Sequence, residues 1–508
     1  MASAPVVLAV DAGSTTAKTQ FFDAGGRALA PVVRSRVAIA ADGTADPAAF
    51  LASVEAAVDE ALRRWTAPVD AVALSCAWHG LVGLGAEGRP TTPLTTWSAT
   101  GPAVVAAAVE LRRRLGGADA GGDGPPAAGA PRAPNGPGGG GLLVAVRGRT
   151  GAPVHPSFPA ARLLAEGGRD PAAFAATVRW CSIGELLEGR WLAGAPGPSS
   201  SMASASGLFD QEARTWDADV LEAVGLRPAT LADVDDRPRR GLAAGYRDRW
   251  PALAGAVWWP ALGDGACAVV GTGCDVPAVA GRRVRASLTV GTSAAVRVLA
   301  GPAERAARPA GLFAYLLDAD RVVLGAARSN AGNLVEWLSD VLRFGEGGDP
   351  VALVAARPPG AHGLVAVPAL AGERSPDWPP AAVGSVSGLH PGTTGLDIAQ
   401  AFLEAAVCGL ADGVDSLEGA VGAPLILVGS GRGLASSAAW RQLVADAAGR
   451  TLIPSRVEEA SARGAAVAAL DGLGWFTRPP DGPDELDGEP LSPDPARAEA
   501  FARLRRPS

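Results

Sequence analysis

The sequence predicts an α/β layer fold arranged as two similarly built domains, and three observations carry that expectation. Its 508 residues exceed the roughly 250–300 at which a single core stops growing. The N-terminal stretch reads strand, strand, helix, strand, an order that suggests layered α/β architecture. A short hairpin with a Gly-hydroxyl turn occurs twice, about half a chain apart.

The first hairpin begins with the apolar run 6–10, which ends in Asp11. Gly13, Ser14, Thr15 and Thr16 form the turn, and residues 17–22 lead out of it toward a second turn at 23–26. Asp46-Pro47 reads as an N-cap with proline at the first helical position. Phe50, Val54, Val58, Leu62 and Trp65 then recur on one helical face, and residues 70–75 return as a strand. The second hairpin has Leu288-Thr289-Val290, the turn Gly291-Thr292-Ser293, and residues 294–299 leaving it. Further on, Ile398, Phe402, Ala405 and Cys408 share a helical face, which predicts a core position for Cys408. Residues 425–428 form a short buried strand that enters Gly429-Ser430-Gly431-Arg432-Gly433, with a helix beginning near Ser436 or Ser437.

Two stretches differ from this pattern. Residues 116–141 contain 11 Gly, 5 Pro and 6 Ala, too little apolar bulk for a core, and read as a flexible surface insertion. Residues 478–495 carry six prolines and read as an extended tail, before a final helix over 496–504 that packs back on the body. The expected division is an N-terminal domain over 1–258, a C-terminal domain over 259–476, and a tail over 477–508.

Composition narrows the function. Hydrophobic residues make up 48% and charged residues 19%, which excludes a wholly disordered chain. The net charge of −7 argues against a nucleic-acid partner, which favours a basic stripe. The five cysteines form no C-x-x-C pair, and the four histidines are scattered, so no zinc site is visible. The chain opens without a secretory pattern, and no apolar run approaches the ~18 residues of a membrane span. A soluble cytoplasmic protein without a membrane partner is expected, as monomer or homodimer. Of 45 Lys+Arg, Lys18 alone is lysine.

Several residues could carry chemistry. Backbone N–H groups in the tight turns at Gly13-Ser14-Thr15 and Gly291-Thr292 can approach an anion, and the hydroxyls add donors. Lys18, beside the first turn, supplies a point charge for phosphate oxygens. Asp11 could hold Mg²⁺ through water, or simply cap the turn. Gly429, Gly431 and Gly433 permit close approach of a flat ligand such as adenine, although the G-K-[ST] ending of a Walker A loop is absent. Asp264, between Gly263 and Gly265, is either a turn residue or a general base. Phosphoryl transfer to an alcohol needs positioning, Mg²⁺ and such a carboxylate. Trp78, His79 and Trp97 offer a flat face and a hydrogen-bonding ring, as a polyol requires; core packing is the competing role for both tryptophans.

Taken in order, these elements resemble the FGGY carbohydrate kinases of the actin-like ATPase and sugar kinase superfamily. The stretch from Val10 to Lys18 looks like the first phosphate motif, and Val290-Gly291-Thr292-Ser293 like the second. Leu427 to Asp446, with Glu459-Ala460-Ser461-Ala462-Arg463-Gly464-Ala465, looks like the adenosine region. Gly372-Glu373-Arg374-Ser375-Pro376 matches a G-E-R-[ST]-P loop. Arg149-Thr150-Gly151-Ala152-Pro153-Val154-His155-Pro156 and Ser201-Met202-Ala203-Ser204 are similar to gluconate-kinase motifs, as is Gly263-Asp264-Gly265 in place of G-D-Q.

The resemblance implies two actin-like (ribonuclease H-like) domains flanking a nucleotide and sugar cleft, with ATP and Mg²⁺ as cofactors. It implies Asp264 as catalytic base, Asp11 at the metal, and Trp78, His79, Trp97 and Gly263 near the sugar. The implied reaction is ATP-dependent phosphorylation of a small-molecule sugar or sugar acid, gluconate to 6-phosphogluconate. The alternatives are a kinase for another polyol or ketose, or a catalytically weakened relative that binds nucleotide or sugar. Two departures bear on that choice. A family W-x-D-x-R stretch reads Trp97-Ser98-Ala99-Thr100-Gly101 here, without its Asp and Arg, and a family Gly-Gly reads Gly431-Arg432.

Overall fold

The structure, a computed structural model, describes residues 4–116, 141–194, 196–275, 283–301, 311–344, 348–477 and 485–505. The expected flexible insertion, apart from Gly116 and Gly141, lies outside these residues.

Two sheets organise the molecule. In the first, Val7–Ala12 pairs antiparallel with Thr16–Phe22 and parallel with Ala71–Cys76. Val33–Arg36 flanks one edge and Val257–Gly263 the other. Every residue of Val7–Ala12 and Ala71–Cys76 is buried, which is why these strands read as apolar runs without alternation. Helix Pro47–Arg63 starts where the Asp46 carboxylate accepts the backbone N–H groups of Ala48 and Ala49, and it buries Phe50, Val54 and Val58.

The second sheet repeats this plan. Val284–Val290 pairs antiparallel with Ala294–Ala300 and parallel with Leu425–Ser430, which is followed by Leu452–Pro454. Val322–Arg328 occupies the position of Val33–Arg36, with Phe313–Leu316 added outside it. The duplicated hairpin is thus the centre of a duplicated sheet.

The 258/259 domain boundary falls inside the strand Val257–Gly263. The strand pairs along Ala71–Cys76, and its apolar residues belong to the N-terminal core. Helix Ala460–Gly472 joins the same core. It crosses helix Asp264–Gly271 so closely that a Cβ on Gly464 would lie 1.7 Å from the Cys267 carbonyl oxygen. These two helices run between the sheets.

The tail is not separate either. Leu491 bridges to Leu452, and helix Pro495–Leu504 inserts Phe501 into the C-terminal core. After Leu425–Ser430, a helical turn starts at Arg432, earlier than expected, and Ser437 caps the next helix, Ala438–Ala448. Cys408 is half-buried and lies beside the core rather than in it.

A joint ties the edge strand Phe313–Leu316 to the N-terminal domain. The Ala314 N–H donates to the Gly151 carbonyl at 2.9 Å, and the Leu316 N–H to Ser204 Oγ at 2.9 Å. Gln211 Nε2 donates to the Ala314 carbonyl at 2.8 Å. A Cβ on Gly151 would lie 2.2 Å from that carbonyl oxygen, so only glycine fits. The R-T-G and S-x-A-S motifs serve here as an interdomain joint.

Candidate active site

The first group forms where strands end together. Asp11 faces Lys18 across the antiparallel pair and Ser75 across the parallel one. Ser75 Oγ donates to Asp11 Oδ1 at 2.7 Å, and Lys18 Nζ lies 3.5 Å from Asp11 Oδ2. Lys18 Nζ is closer to Glu459 Oε2, at 2.8 Å, and Arg34 reaches the other oxygen of Glu459 at 2.6 Å. Burial pushes the Asp11 carboxyl above its ordinary range, with Lys18 acting against that and Asp264 and Glu459 adding to it. Burial works against the Lys18 charge, yet Asp11 and Glu459 hold the ammonium above its usual range.

Asp264 follows Gly263 at the end of the neighbouring strand, with Gly263 beside Cys76 in the register. Its Oδ1 accepts the N–H of Gly265 at 2.8 Å and that of Trp78 at 3.3 Å. Burial raises the carboxyl above its ordinary range; Arg297 chiefly counters this, with a smaller contribution from Lys18.

Both glycines beside Asp264 are explained by Trp78. A Cβ on Gly263 would lie 1.6 Å from the indole Nε1, and one on Gly265 would lie 2.3 Å from Cζ3. The indole Nε1 donates to the Ser201 carbonyl at 3.2 Å, and Ser201 Oγ accepts the Gly263 N–H at 3.1 Å. Trp78 is only 6% exposed and braces the loop that carries Asp264.

On the expected sugar side, His79 takes a left-handed backbone, φ 67°, and its Nδ1 bonds the Ala205 carbonyl at 2.7 Å. Burial, with Arg162 adding to it, pushes its pKa down to about 3, so the ring is neutral. Trp97 lies under the Arg374 guanidinium, 5.3 Å from the ring centre. Tyr315, from the joint strand, meets Trp78 edge-on at 4.9 Å and His79 at 5.6 Å. The G-E-R-S-P loop is held by His155, whose Nε2 lies 3.0 Å from the Glu373 carbonyl oxygen, and by a 2.7 Å Arg328–Glu373 ion pair.

On the expected nucleotide side, Gly13, Ser14 and Thr15 form the first turn, with Thr15 exposed. A Cβ on Gly291 would meet open space, so the second turn, with Thr292, is accessible from its glycine. Gly431, at φ 89°, and Gly433 run along the Val290 backbone at the base of that turn; a Cβ on Gly431 would lie 2.5 Å from the Val290 carbonyl oxygen. Gly429 packs against Leu434 and Leu452. Arg432 is exposed at the start of the helical turn.

Among the described residues, no cluster of three or more His, Cys, Asp or Glu is arranged to hold a metal. Asp11 still fits Mg²⁺, which commonly takes one or two carboxylates with water and phosphate oxygens. Asp11, Asp264 and Glu459 interact electrostatically and bring three carboxyls near one lysine.

Sequence reasoning missed Arg297 and Tyr315 as members of the site, and it placed Glu459 in the adenosine-like stretch without its pairing to Lys18. The signal for Arg297 is a charge inside an otherwise apolar strand, Ala294–Ala300. For Tyr315 it is rarity, since the chain has two tyrosines.

The C-terminal domain of the FGGY family of carbohydrate kinases matches residues 286–471. A glycerol kinase of Citrifermentans bemidjiense is 30% identical over 354 residues, covering 66% of this chain and 67% of the relative. The chain belongs to the FGGY family of carbohydrate kinases. A gluconokinase of Bacillus subtilis is 24% identical over 422 residues, 79% of this chain and 74% of that one. The chain spans 64% of the length of a Bacillus licheniformis gluconokinase, at 26% identity. The crystal structure of a gluconate kinase from Lactobacillus acidophilus has the same fold, with a TM-score of 0.81 at 20% identity, covering 99% of this chain and 96% of that one. The FGGY match includes the second phosphate-like turn, the 429–433 loop and Glu459. Among the described residues, no helix is long and apolar enough to cross a membrane.

Proposed function

We propose that this FGGY kinase transfers the γ-phosphoryl group of ATP to a hydroxyl of a sugar or sugar acid, with gluconate as substrate and 6-phosphogluconate as product. The observation that carries the reading is the convergence of Asp11, Lys18 and Asp264 at adjacent strand ends, beside the first of two matching Gly-hydroxyl turns.

Each residue has a role in that reaction. The turns at Gly13-Ser14-Thr15 and Gly291-Thr292 present N–H and hydroxyl donors to phosphate oxygens. Lys18 adds a point charge, exchanging its Glu459 partner for phosphate. The 429–433 loop borders the adenosine. Asp11 would hold Mg²⁺ through water, and the ion would neutralise phosphate charge. Asp264 takes the proton of the attacking hydroxyl. Its carboxylate already accepts two backbone N–H groups through Oδ1, which leaves Oδ2 for the substrate.

Gluconate is favoured by the R-T-G-x-P-x-H-P and S-x-A-S stretches. The relatives also support a second reading, a neutral polyol, since glycerol kinases match at 29–30% identity and gluconokinases at 24–26%. An ADP-release assay across aldonates, ketoses and polyols separates the two. Turnover restricted to gluconate supports the first reading, turnover of glycerol or xylulose supports the second, and no turnover with any acceptor overturns both.

A further inference from the structure

Arg297 is the one charged residue in the strand Ala294–Ala300. It lies on the sheet face turned toward helix Asp264–Gly271, and a Cβ on Gly265 would sit 2.9 Å from its Nε. Gly265 is therefore what lets the guanidinium lie beside the base. Two of its nitrogens, Nε and Nη1, are sealed from solvent and have no hydrogen-bond partner. Buried donors are ordinarily satisfied, and one left empty is costly. Each of these open donors suits an anionic acceptor, since a charge-assisted hydrogen bond is stronger than a neutral one.

One carboxylate, Asp264, acts on Arg297, but it does not fill these two donors. The charged groups that act on Arg297 are Asp264, whose Oδ1 is already taken up by backbone N–H groups, and Tyr315. Arg374 stands nearby with the same sign, and it donates to the Arg328 carbonyl at 2.6 Å. Arg147 donates to the Leu312 carbonyl at 3.3 Å. Glu373 offsets Arg374 and Asp377 offsets Arg147, so Asp264 is the carboxylate left acting on Arg297. Lys18, by contrast, belongs to the Asp11–Glu459 group. Arg297 shares its neighbourhood with Tyr315, and Tyr315 touches Trp78 and His79.

We propose that Arg297 anchors the carboxylate of an anionic polyol, so that the acceptor is an aldonate rather than a neutral sugar. The inference rests on the sugar-kinase reading above and adds a specificity-determining residue to it.

Calorimetry on the full chain tests this with D-gluconate and D-glucitol, which differ at C1 in carboxylate against hydroxymethyl. The parent binds gluconate more tightly than glucitol. Arg297→Gln weakens gluconate by roughly 10–100-fold, the range for losing a charge-assisted hydrogen bond. It leaves glucitol and a non-hydrolysable ATP analogue unchanged. Arg297→Lys recovers part of the gluconate affinity, and the parent's own preference remains a test if the Gln variant does not fold. Equal binding of the two polyols by the parent overturns the anchor. So does a Gln variant that keeps its gluconate affinity. Weakened nucleotide with intact gluconate makes Arg297 a phosphate ligand instead. Transfer to glucitol but not gluconate leaves the kinase reading standing and removes the anchor. Arg297-dependent gluconate binding without phosphoryl transfer does the reverse.

Discussion

Lys18 Nζ lies 2.8 Å from Glu459 Oε2 and 3.5 Å from Asp11 Oδ2, joining the first hairpin to the start of the helix that crosses between the sheets. The single lysine of the chain is therefore both a phosphate candidate and the counter-ion of two buried carboxylates.

Replacing it separates those roles. Lys18→Met should raise the ATP requirement more than the sugar requirement. It should also cost stability, because Asp11 and Glu459 lose their shared cation. Removing one partner of a buried pair costs about 3–5 kcal/mol; the Lys18 side chain is 28% exposed, so about 2 kcal/mol is expected. Lys18→Arg should keep most of the stability and only part of the ATP affinity, since a planar fork replaces a point charge. Thermal melts and ATP titrations measure the two effects. Unchanged ATP dependence in both variants would leave Lys18 a purely structural ion.

The Gly263–Trp78 contact makes a sharper steric prediction. Gly263→Ala places a methyl group 1.6 Å from the indole nitrogen, so the ring or the loop must move. Overpacking of this kind typically costs about 1–3 kcal/mol. Because the same loop carries Asp264, turnover should fall further than stability. A double-mutant cycle with Trp78→Phe should show coupling, the smaller ring restoring part of both. Additive effects would mean that Trp78 does not brace the loop.

Much of this was legible in sequence, for reasons tied to particular residues. The hairpins show because buried central strands are continuous apolar runs, broken by Gly-hydroxyl turns at Gly13 and Gly291. Asp264 shows because glycines flank it, although the reason for them, Trp78, is 186 residues away. The 258/259 boundary cuts a strand because a strand can belong to a sheet formed far earlier in the chain; nothing local to Val257–Gly263 records its pairing with Ala71–Cys76. Arg297 escaped because its meaning lies in unfilled donors, a property of packing. The R-T-G motif was visible, but its use as a joint required the edge strand at Ala314.

The two histidines of the cleft should be silent across the physiological range. Burial, helped by neighbouring arginines, holds both His79 and His155 at a pKa of about 3. In the unfolded chain each titrates near 6.5. Protons therefore bind the unfolded state first, and stability falls as pH drops below about 6.5, until the folded rings titrate near 3. NMR titration should find both rings neutral at pH 5.5, while activity in that range follows other groups. A ring that protonates near pH 6 would overturn the burial account.

Asp264 carries the mechanism. A sugar hydroxyl is a poor nucleophile until its proton has somewhere to go, and a carboxylate at hydrogen-bond distance can take it. General base catalysis typically contributes about 10²–10⁴-fold, so Asp264→Asn should lower kcat by that order while sugar and ATP still bind. Burial raises the Asp264 carboxyl, so the acid limb of the kcat/KM profile should lie above the ordinary carboxylate range, and activity should be lost as pH falls through it. The stability sign is the opposite. A raised carboxyl means that the folded state binds its proton more tightly than the unfolded state does. Above that pKa the folded protein therefore carries a penalty, which eases as pH falls. Asparagine removes the buried charge and its repulsion of Asp11, so the variant should melt higher than the parent at neutral pH. A slower and more stable enzyme is the signature of a base held under electrostatic strain. Near-parental turnover would reject the assignment, and loss of nucleotide binding with the fold intact would place Asp264 at the metal instead.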